Sequence, residues 1–215
     1  MTTADKTTLK IGVLALQGAF LEHIHMLKNL PVVSDAIPIR TTEQLQSVDA
    51  LIIPGGESTS MALIAERCGI LEPLREFVKT KPTWGTCAGM IMLANEATSA
   101  KKGGQQLIGG LAIRVNRNQF GTQKESFETK LHMPEIVGET PFHAIFIRAP
   151  VISDILSDDV KVVGRLEQKV GQTEAETIIA VRQNHLFATA FHPELTYDNR
   201  LHGYFANMAL EHYKN

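Results

Sequence analysis

Short apolar runs alternate with helically spaced segments through the first half of the chain. LKIGVLAL (9–16) reads as a buried strand ending at Gln17-Gly18, and Phe20, Ile24, Leu27 and Leu30 then recur at helical spacing. VDALIIPGG (48–56) is a second buried strand, broken by Pro54-Gly55-Gly56, with helices predicted over about 58–67 and 71–79. KPTWGT (81–86) is a third, shorter strand, leading into a helix predicted from about Cys87 to Ala97. Strand–helix alternation of this kind predicts βαβ units and a parallel sheet covered on both faces.

The second half has a different rhythm. LAIRVNR, SFETKLH, FHAIFIRAP, VKVVGRL, TIIAVRQ and LFATAFHP follow one another with turns and little helix, as hairpins or mixed-sheet additions would. A last amphipathic helix is predicted over about 197–213, with Leu201, Phe205, Met208 and Ala209 on its apolar side. There is no internal repeat, low-complexity tract or long linker. The expectation is an α/β fold: one three-layer domain over 9–215 around a mixed, mostly parallel, flavodoxin-like sheet, after a polar N-terminal extension at 1–8.

Composition narrows the function classes. Of the 215 residues, 44% are hydrophobic and 20% charged, the profile of a globular protein. A net charge of −2, with no basic run longer than Lys101-Lys102, argues against nucleic-acid binding. The polar start MTTADKTTLK and the absence of 18 consecutive apolar residues predict neither signal peptide nor membrane span. The two cysteines, Cys68 and Cys87, are then best read as free thiols of a cytoplasmic protein.

The sharpest chemical feature is Gly85-Thr86-Cys87-Ala88-Gly89 between a strand and a helix, the nucleophile-elbow pattern with cysteine as nucleophile. A tight turn exposes the side chain, small flanking residues relieve crowding, and the helix N-terminus favours negative charge. The N–H of Ala88 points where an oxyanion would form. The bland alternative is a buried cysteine in a Gly-rich turn.

A thiol nucleophile needs a base, and His192 closes the strand LFATAF within His192-Pro193-Glu194. In extended backbone, residues two apart share a side, so Glu194 can hold the His192 ring while the ring faces the thiol. Isolated, this triplet would be a strand-end histidine beside a solvated glutamate; with the elbow upstream it completes a Cys–His–Glu triad. Pro54-Gly55-Gly56-Glu57-Ser58 ends a strand at the sheet edge where ligands bind, and a glycine N–H there could supply a second oxyanion donor. Ser58-Thr59 could equally cap the next helix.

Other candidates rank lower. Arg117 and Arg148 lie near strand ends and could fork onto a substrate carboxylate. His23 and His25 point apart on a helix and make a poor metal pair, and no Cys/His/carboxylate cluster has zinc-ligand spacing. No Walker or Rossmann glycine fingerprint is present. Cys68, before Gly69, reads as a packing residue.

PGGES, GTCAG and a C-terminal HPE in this order resemble the class I glutamine amidotransferases. LALQGAFLEHIHML, PGGESTSM, GTCAGMIML, RNQFGTQKESFE, FIRAP and FHPELT resemble, within that family, the glutaminase subunits of pyridoxal 5′-phosphate synthase, from near residue 10 to the C-terminus. The resemblance implies that Cys87 attacks the γ-amide of L-glutamine to give a thioester, that His192 shuttles protons and that Glu194 orients it. It implies an oxyanion hole from Gly56 and Ala88, substrate contacts from Gly56, Glu57, Ser58, Arg117, Ile147 and Arg148, and a role for Gln17 in ordering the hole when the synthase docks. Thr122, where the family often has arginine, is a departure that touches none of the triad.

The resemblance further implies a (β/α)₈-barrel synthase partner that consumes the ammonia. The product of the complex would be pyridoxal phosphate, so no cofactor or metal is expected here, and the glutaminase reading leaves no stretch of chain to use the ammonia itself. Two alternatives stand beside it. One is another amidotransferase subunit or a stand-alone γ-glutamyl hydrolase with the same triad; the other is a non-enzymatic regulatory binding module on the same scaffold.

Overall fold

The computed structural model describes residues 6–98, 105–117, 126–168, 171 and 173–214. Thr122 lies outside them.

The first half is built from βα units. β1 (Leu9–Leu14) is buried along its length apart from Lys10, as a strand covered on both faces must be. It leads to α1 (Phe20–Lys28), β2 (Val33–Ile39) and α2 (Thr42–Gln46), a short helix closed by a capping box between Thr41 and Gln44. Next come β3 (Ala50–Ile53), α3 (Ser58–Arg67), α4 (Leu71–Thr80), β4 (Thr83–Thr86) and α5 (Ala88–Leu93). β2 and α2 had no apolar run to announce them. β2 is an edge strand paired only with β1, with Ser34 and Asp35 exposed and Pro38 tolerated near its end.

The second half adds β5 (Ala94–Thr98), β6 (Leu111–Asn116), β7 (Ser126–Leu131), α6 (Pro134–Val137), β8 (Phe142–Ile147), β9 (Val151–Ile155), β10 (Lys161–Arg165), β11 (Ile178–Gln183), β12 (Leu186–Thr189) and α7 (Arg200–His212). The helix expected to run to Ala97 stops at Leu93. Ala94 turns extended (ψ 145°) and β5 pairs with β6, while Asn95 Oδ1 accepts from the N–H of Gly110. The last helix starts at Arg200 rather than 197, because Asp198 bonds the Arg200 N–H and sets the helix entry.

Seven strands form the main sheet in the order β10-β11-β12-β4-β3-β1-β2. β2, β1, β3, β4 and β12 are parallel, and β11 and β10 extend the sheet antiparallel. The fold is therefore α/β with a mixed, mostly parallel sheet. β5-β6-β9 and β7-β8 are two small accessory sheets.

Adjacent residues of β4 show how the layers stack. Trp84 meets His23 of α1 and His202 and Phe205 of α7, whereas a Cβ on Gly85 would point at Gly89 and Met90 of α5. Successive strand residues face opposite ways, so α1 and α7 cover one face and α5 the other. The strand order reverses direction beside β1, and the carboxyl ends of β1, β3, β4 and β12 meet there, which places a crevice at that edge.

Candidate active site

Four strand ends deliver the chemistry. β4 runs into Cys87, whose backbone has φ 48° and ψ −107°, a left-handed conformation uncommon for a side-chain-bearing residue. The turn is held by the Cys87 N–H donating to the Thr189 carbonyl of β12 at 2.8 Å. Its neighbours cannot be larger: a Cβ at Gly85 would lie 2.4 Å from the Gly89 carbonyl oxygen, and one at Gly89 1.9 Å from that of Ile53. Cys87 is 6% exposed, with Sγ 4.0 Å from the Ile147 carbonyl oxygen.

His192 follows β12, and its N–H donates to the Ile145 carbonyl at 2.9 Å. Its imidazole lies between the Cys87 thiol and Glu194, with Nδ1 2.8 Å from Glu194 Oε1. The pairing matches expectation, but the backbone reason does not. Pro193–Leu195 form a 3₁₀ turn, so the tight turn, not extended geometry, brings the carboxylate back onto the ring. Burial opposes charge on His192, but the bonds to Cys87 and Glu194 outweigh it and push the imidazole up to about 10. At neutral pH it is an imidazolium with a proton to give.

Gly55-Gly56 follow β3. A Cβ at Gly55 would sit 2.4 Å from His192 Cε1 and 3.3 Å from Cys87 Cβ, so this backbone lies directly against the pair. Gly56 has φ 157°, and a Cβ there would fall 2.3 Å from Gln17 Oε1. Gln17, after β1, accepts the Glu57 N–H through that oxygen at 2.7 Å. Glu57, not Ser58, caps α3. Its carboxylate accepts from the N–H groups of Thr59 (3.0 Å) and Ser60 (2.7 Å) and the Ser60 hydroxyl (2.7 Å). These bonds overcome the opposing effect of partial burial and hold the carboxyl down at about 2.

Ser58 is buried, its hydroxyl donating to Gln105 Oε1 at 3.1 Å. Arg117, just past β6, donates to Thr59 Oγ1 at 2.8 Å and reaches Glu57 Oε1 at 3.5 Å, so it sits over the start of α3. Ile147 and Arg148 end β8, where Arg148 has φ 46° and is exposed. Of the residues singled out in the sequence, Cys87, Ala88, His192, Glu194, Gly56, Gln17 and Ile147 are brought together. Ser58 and Arg117 line α3 beside them. Cys68 is exposed rather than packed, because it is the C-cap of α3 ahead of Gly69 (φ 69°). Among the described residues no group of His, Cys, Asp and Glu could hold a metal.

Sequence reading missed the pair of histidines behind Glu194. His23 of α1 and His202 of α7 are fully buried, with His23 Nδ1 2.8 Å from His202 Nε2. His23 Nε2 lies 3.4 Å from Glu194 Oε2 and 3.3 Å from Thr86 Oγ1. Burial, and then the other histidines nearby, hold His23 well below the ordinary histidine range; burial alone brings His202 down to about 3. Only the coincidence of His23 and His202 on apolar helix faces could have signalled them.

Residues 13–211 match the SNO glutamine amidotransferase family. The probable pyridoxal 5′-phosphate synthase subunit PDX2 of Arabidopsis thaliana is 45% identical, the alignment covering 94% of this chain and 87% of that protein. The pyridoxal 5′-phosphate synthase subunit PdxT of Herpetosiphon aurantiacus is 46% identical over 93% of this chain and all of its own length. A crystal structure of a glutamine amidotransferase superposes with a TM-score of 0.79 at 42% identity, covering 93% of this chain and 98% of that one. A glutamine amidotransferase from Thermotoga maritima shares the fold alone, with a TM-score of 0.53 at 14% identity over 95% of each chain. A match running from within β1 to within α7, with relatives at this identity over nearly the whole chain, shows that the chain belongs to the SNO glutamine amidotransferase family.

Proposed function

We propose that the chain hydrolyses L-glutamine to glutamate and ammonia and passes the ammonia to a synthase subunit that makes pyridoxal 5′-phosphate. The observation that carries this reading is the His192 imidazole set between the strained Cys87 elbow and a buried Glu194, 2.8 Å from its carboxylate. Cys87, as thiolate, attacks the γ-carbonyl carbon; the C–S bond forms and the carbonyl electrons move onto oxygen. The N–H groups of Gly56 and Ala88 receive that oxyanion. The His192 imidazolium protonates the amide nitrogen, the C–N bond breaks, and ammonia leaves a γ-glutamyl thioester. Neutral His192 then takes a proton from water as the oxygen attacks the thioester, and collapse expels the thiolate and releases glutamate.

Gly56, Glu57, Ser58, Arg117, Ile147 and Arg148 hold the glutamine, and residues 9–215 act as one glutaminase unit. The acceptor is a (β/α)₈-barrel subunit; pyridoxal phosphate is made there and is no cofactor of this chain. Gln17 links the site to that partner, because its side chain already grips the Gly56–Glu57 peptide and any movement of it re-aims an oxyanion donor. Leu21 on α1 and Leu195 and Tyr197 just after Glu194 are exposed, and the 193–195 turn packs on α1, which supports a docking face beside the triad. Two free thiols suit a cytoplasmic setting, and no helix among the described residues is long and apolar enough to cross a membrane.

The test is ammonia release from L-glutamine by wild type and Cys87→Ala, each with and without a synthase subunit. The expected result is synthase-stimulated turnover that falls at least about 10³-fold in the variant. Full activity in Cys87→Ala would overturn the triad.

A further inference from the structure

Glu194 poses a problem that the triad does not solve. Its side chain is fully buried, Oε1 is used by His192, and Oε2 makes no ordinary hydrogen bond among the described residues. A buried carboxylate oxygen without a donor is costly. The nearest donor group is His23 Nε2 at 3.4 Å, and His23 is tied in turn to His202.

Counting protons settles how this pair must be arranged. Burial keeps both rings neutral, so each carries one N–H. The 2.8 Å contact between His23 Nδ1 and His202 Nε2 needs one proton between them. If His23 supplied it from Nδ1, a bare Nε2 lone pair would face Glu194, and His202 would be left with a buried Nδ1–H that has no acceptor among the described residues. If His202 supplies it from Nε2, His23 keeps its proton on Nε2, between Thr86 Oγ1 and Glu194 Oε2. The only orphan among these groups is then the His202 Nδ1 lone pair. The second arrangement leaves fewer buried groups unmet.

We propose that His23, its tautomer set by His202, is the second donor to Glu194 and a positioning residue for the triad. The proposal rests on the catalytic reading of Cys87, His192 and Glu194 and deepens it. His23 touches no reacting atom. It acts by fixing the carboxylate that holds His192, so that the imidazolium stays aimed at Cys87. The titrating groups facing His23 are His202 from α7 and His192 and Glu194 after β12; Trp84 and Thr86 of β4 form the rest of its wall.

Two experiments test it. In histidine-labelled wild type, two-dimensional ¹⁵N–¹H spectra of the rings should show His23 and His202 neutral and both protonated at Nε2. A proton on Nδ1 of either overturns the proposal, and this readout needs no variant to fold. The second compares His23→Leu with His23→Gln, which keeps an amide donor near the Nε2 position, in a Cys68→Ser background. The readouts are the pH profile of Cys87 alkylation in the free chain and kcat and KM for glutamine with the synthase. The expected result for His23→Leu is alkylation at pH 6 reduced about tenfold with the pH 9 rate little changed, and kcat down about tenfold or more at unchanged KM. His23→Gln should recover most of both.

An unchanged profile in a folded His23→Leu overturns the proposal. So does equal loss in the two variants that tracks their thermal midpoints, since that is the behaviour of a packing residue. Cys87→Ala separates the two levels. If it keeps glutaminase activity, the triad itself is wrong; if it is dead while His23→Leu is normal, only the role of the histidine pair fails.

Discussion

Two neutral histidines sealed between α1 and α7 should make the protein sensitive to mild acid, and the size of the effect follows from their burial. An unfolded histidine titrates near 6.5, whereas His202 in the fold stays neutral until about 3. Between those values the unfolded chain binds a proton that the folded chain refuses, so stability falls as pH falls. From pH 8 to pH 5 the loss is about RT ln(1 + 10^1.5), or roughly 2 kcal/mol, for His202; His23 and half-buried His185, also held below the ordinary range by burial, add to it in the same direction.

His192 works in the opposite direction. Its folded value of about 10 lies above the unfolded one, so its contribution is complete below about 6.5 and is lost as pH rises through about 10. Over the same acidification it adds back about 2 kcal/mol and offsets His202, so the net loss is the part contributed by His23 and His185. The carboxylates held low, Glu57 and Asp198, enter only below this window. Urea unfolding of wild type and His202→Phe at pH 8, 6.5 and 5 measures it. Wild type should lose stability between the extremes, and the variant, lacking one acid-sensitive group, should lose about 2 kcal/mol less. A wild type more stable at pH 5 than at pH 8, or the same slope in both proteins, would refute the reasoning.

Two further substitutions probe other parts of the structure. Gly55→Ala places a methyl 2.4 Å from His192 Cε1 and should cut glutaminase turnover by about 10²-fold while costing about 1–3 kcal/mol of stability; turnover within threefold of wild type would show that the backbone does not press on the imidazole. Arg200→Ala removes a guanidinium that donates to the carbonyls of Val137 (2.8 Å), Thr140 (2.6 Å) and Pro141 (3.2 Å) and should lower stability by about 2 kcal/mol in urea with kcat unchanged; a loss below about 0.5 kcal/mol would show that these bonds are matched by water.

Local chemistry was legible in the chain because it depends on short spacing. Small residues around Cys87, a histidine two before a glutamate, and a Pro-Gly-Gly break after an apolar run each act within a few bonds of themselves, so the elbow, the His192–Glu194 pair and the loop beside them could be named from sequence. The alternation of β1, α1, β3, α3, α4 and β4 was equally plain, since buried parallel strands are apolar throughout. What failed locally failed for a physical reason. β2 is an edge strand with polar positions and a proline, and the stretch after Leu93 leaves the helix only because β6 is there to pair with it.

Position across the sheet was beyond the sequence. β12 lies beside β4 although Thr189 and Trp84 are 105 residues apart, and that pairing puts His192 on Cys87. His23 and His202 are separated by 179 residues, and α1 and α7 must pack on the same face before either ring has a partner. Read singly, His23 was half of a poor metal pair. The spacing of a motif is set by covalent geometry, but the order of strands and the facing of helices are set by how buried surfaces fit together over the whole chain. Only the tertiary structure could therefore place a buried histidine pair behind Glu194.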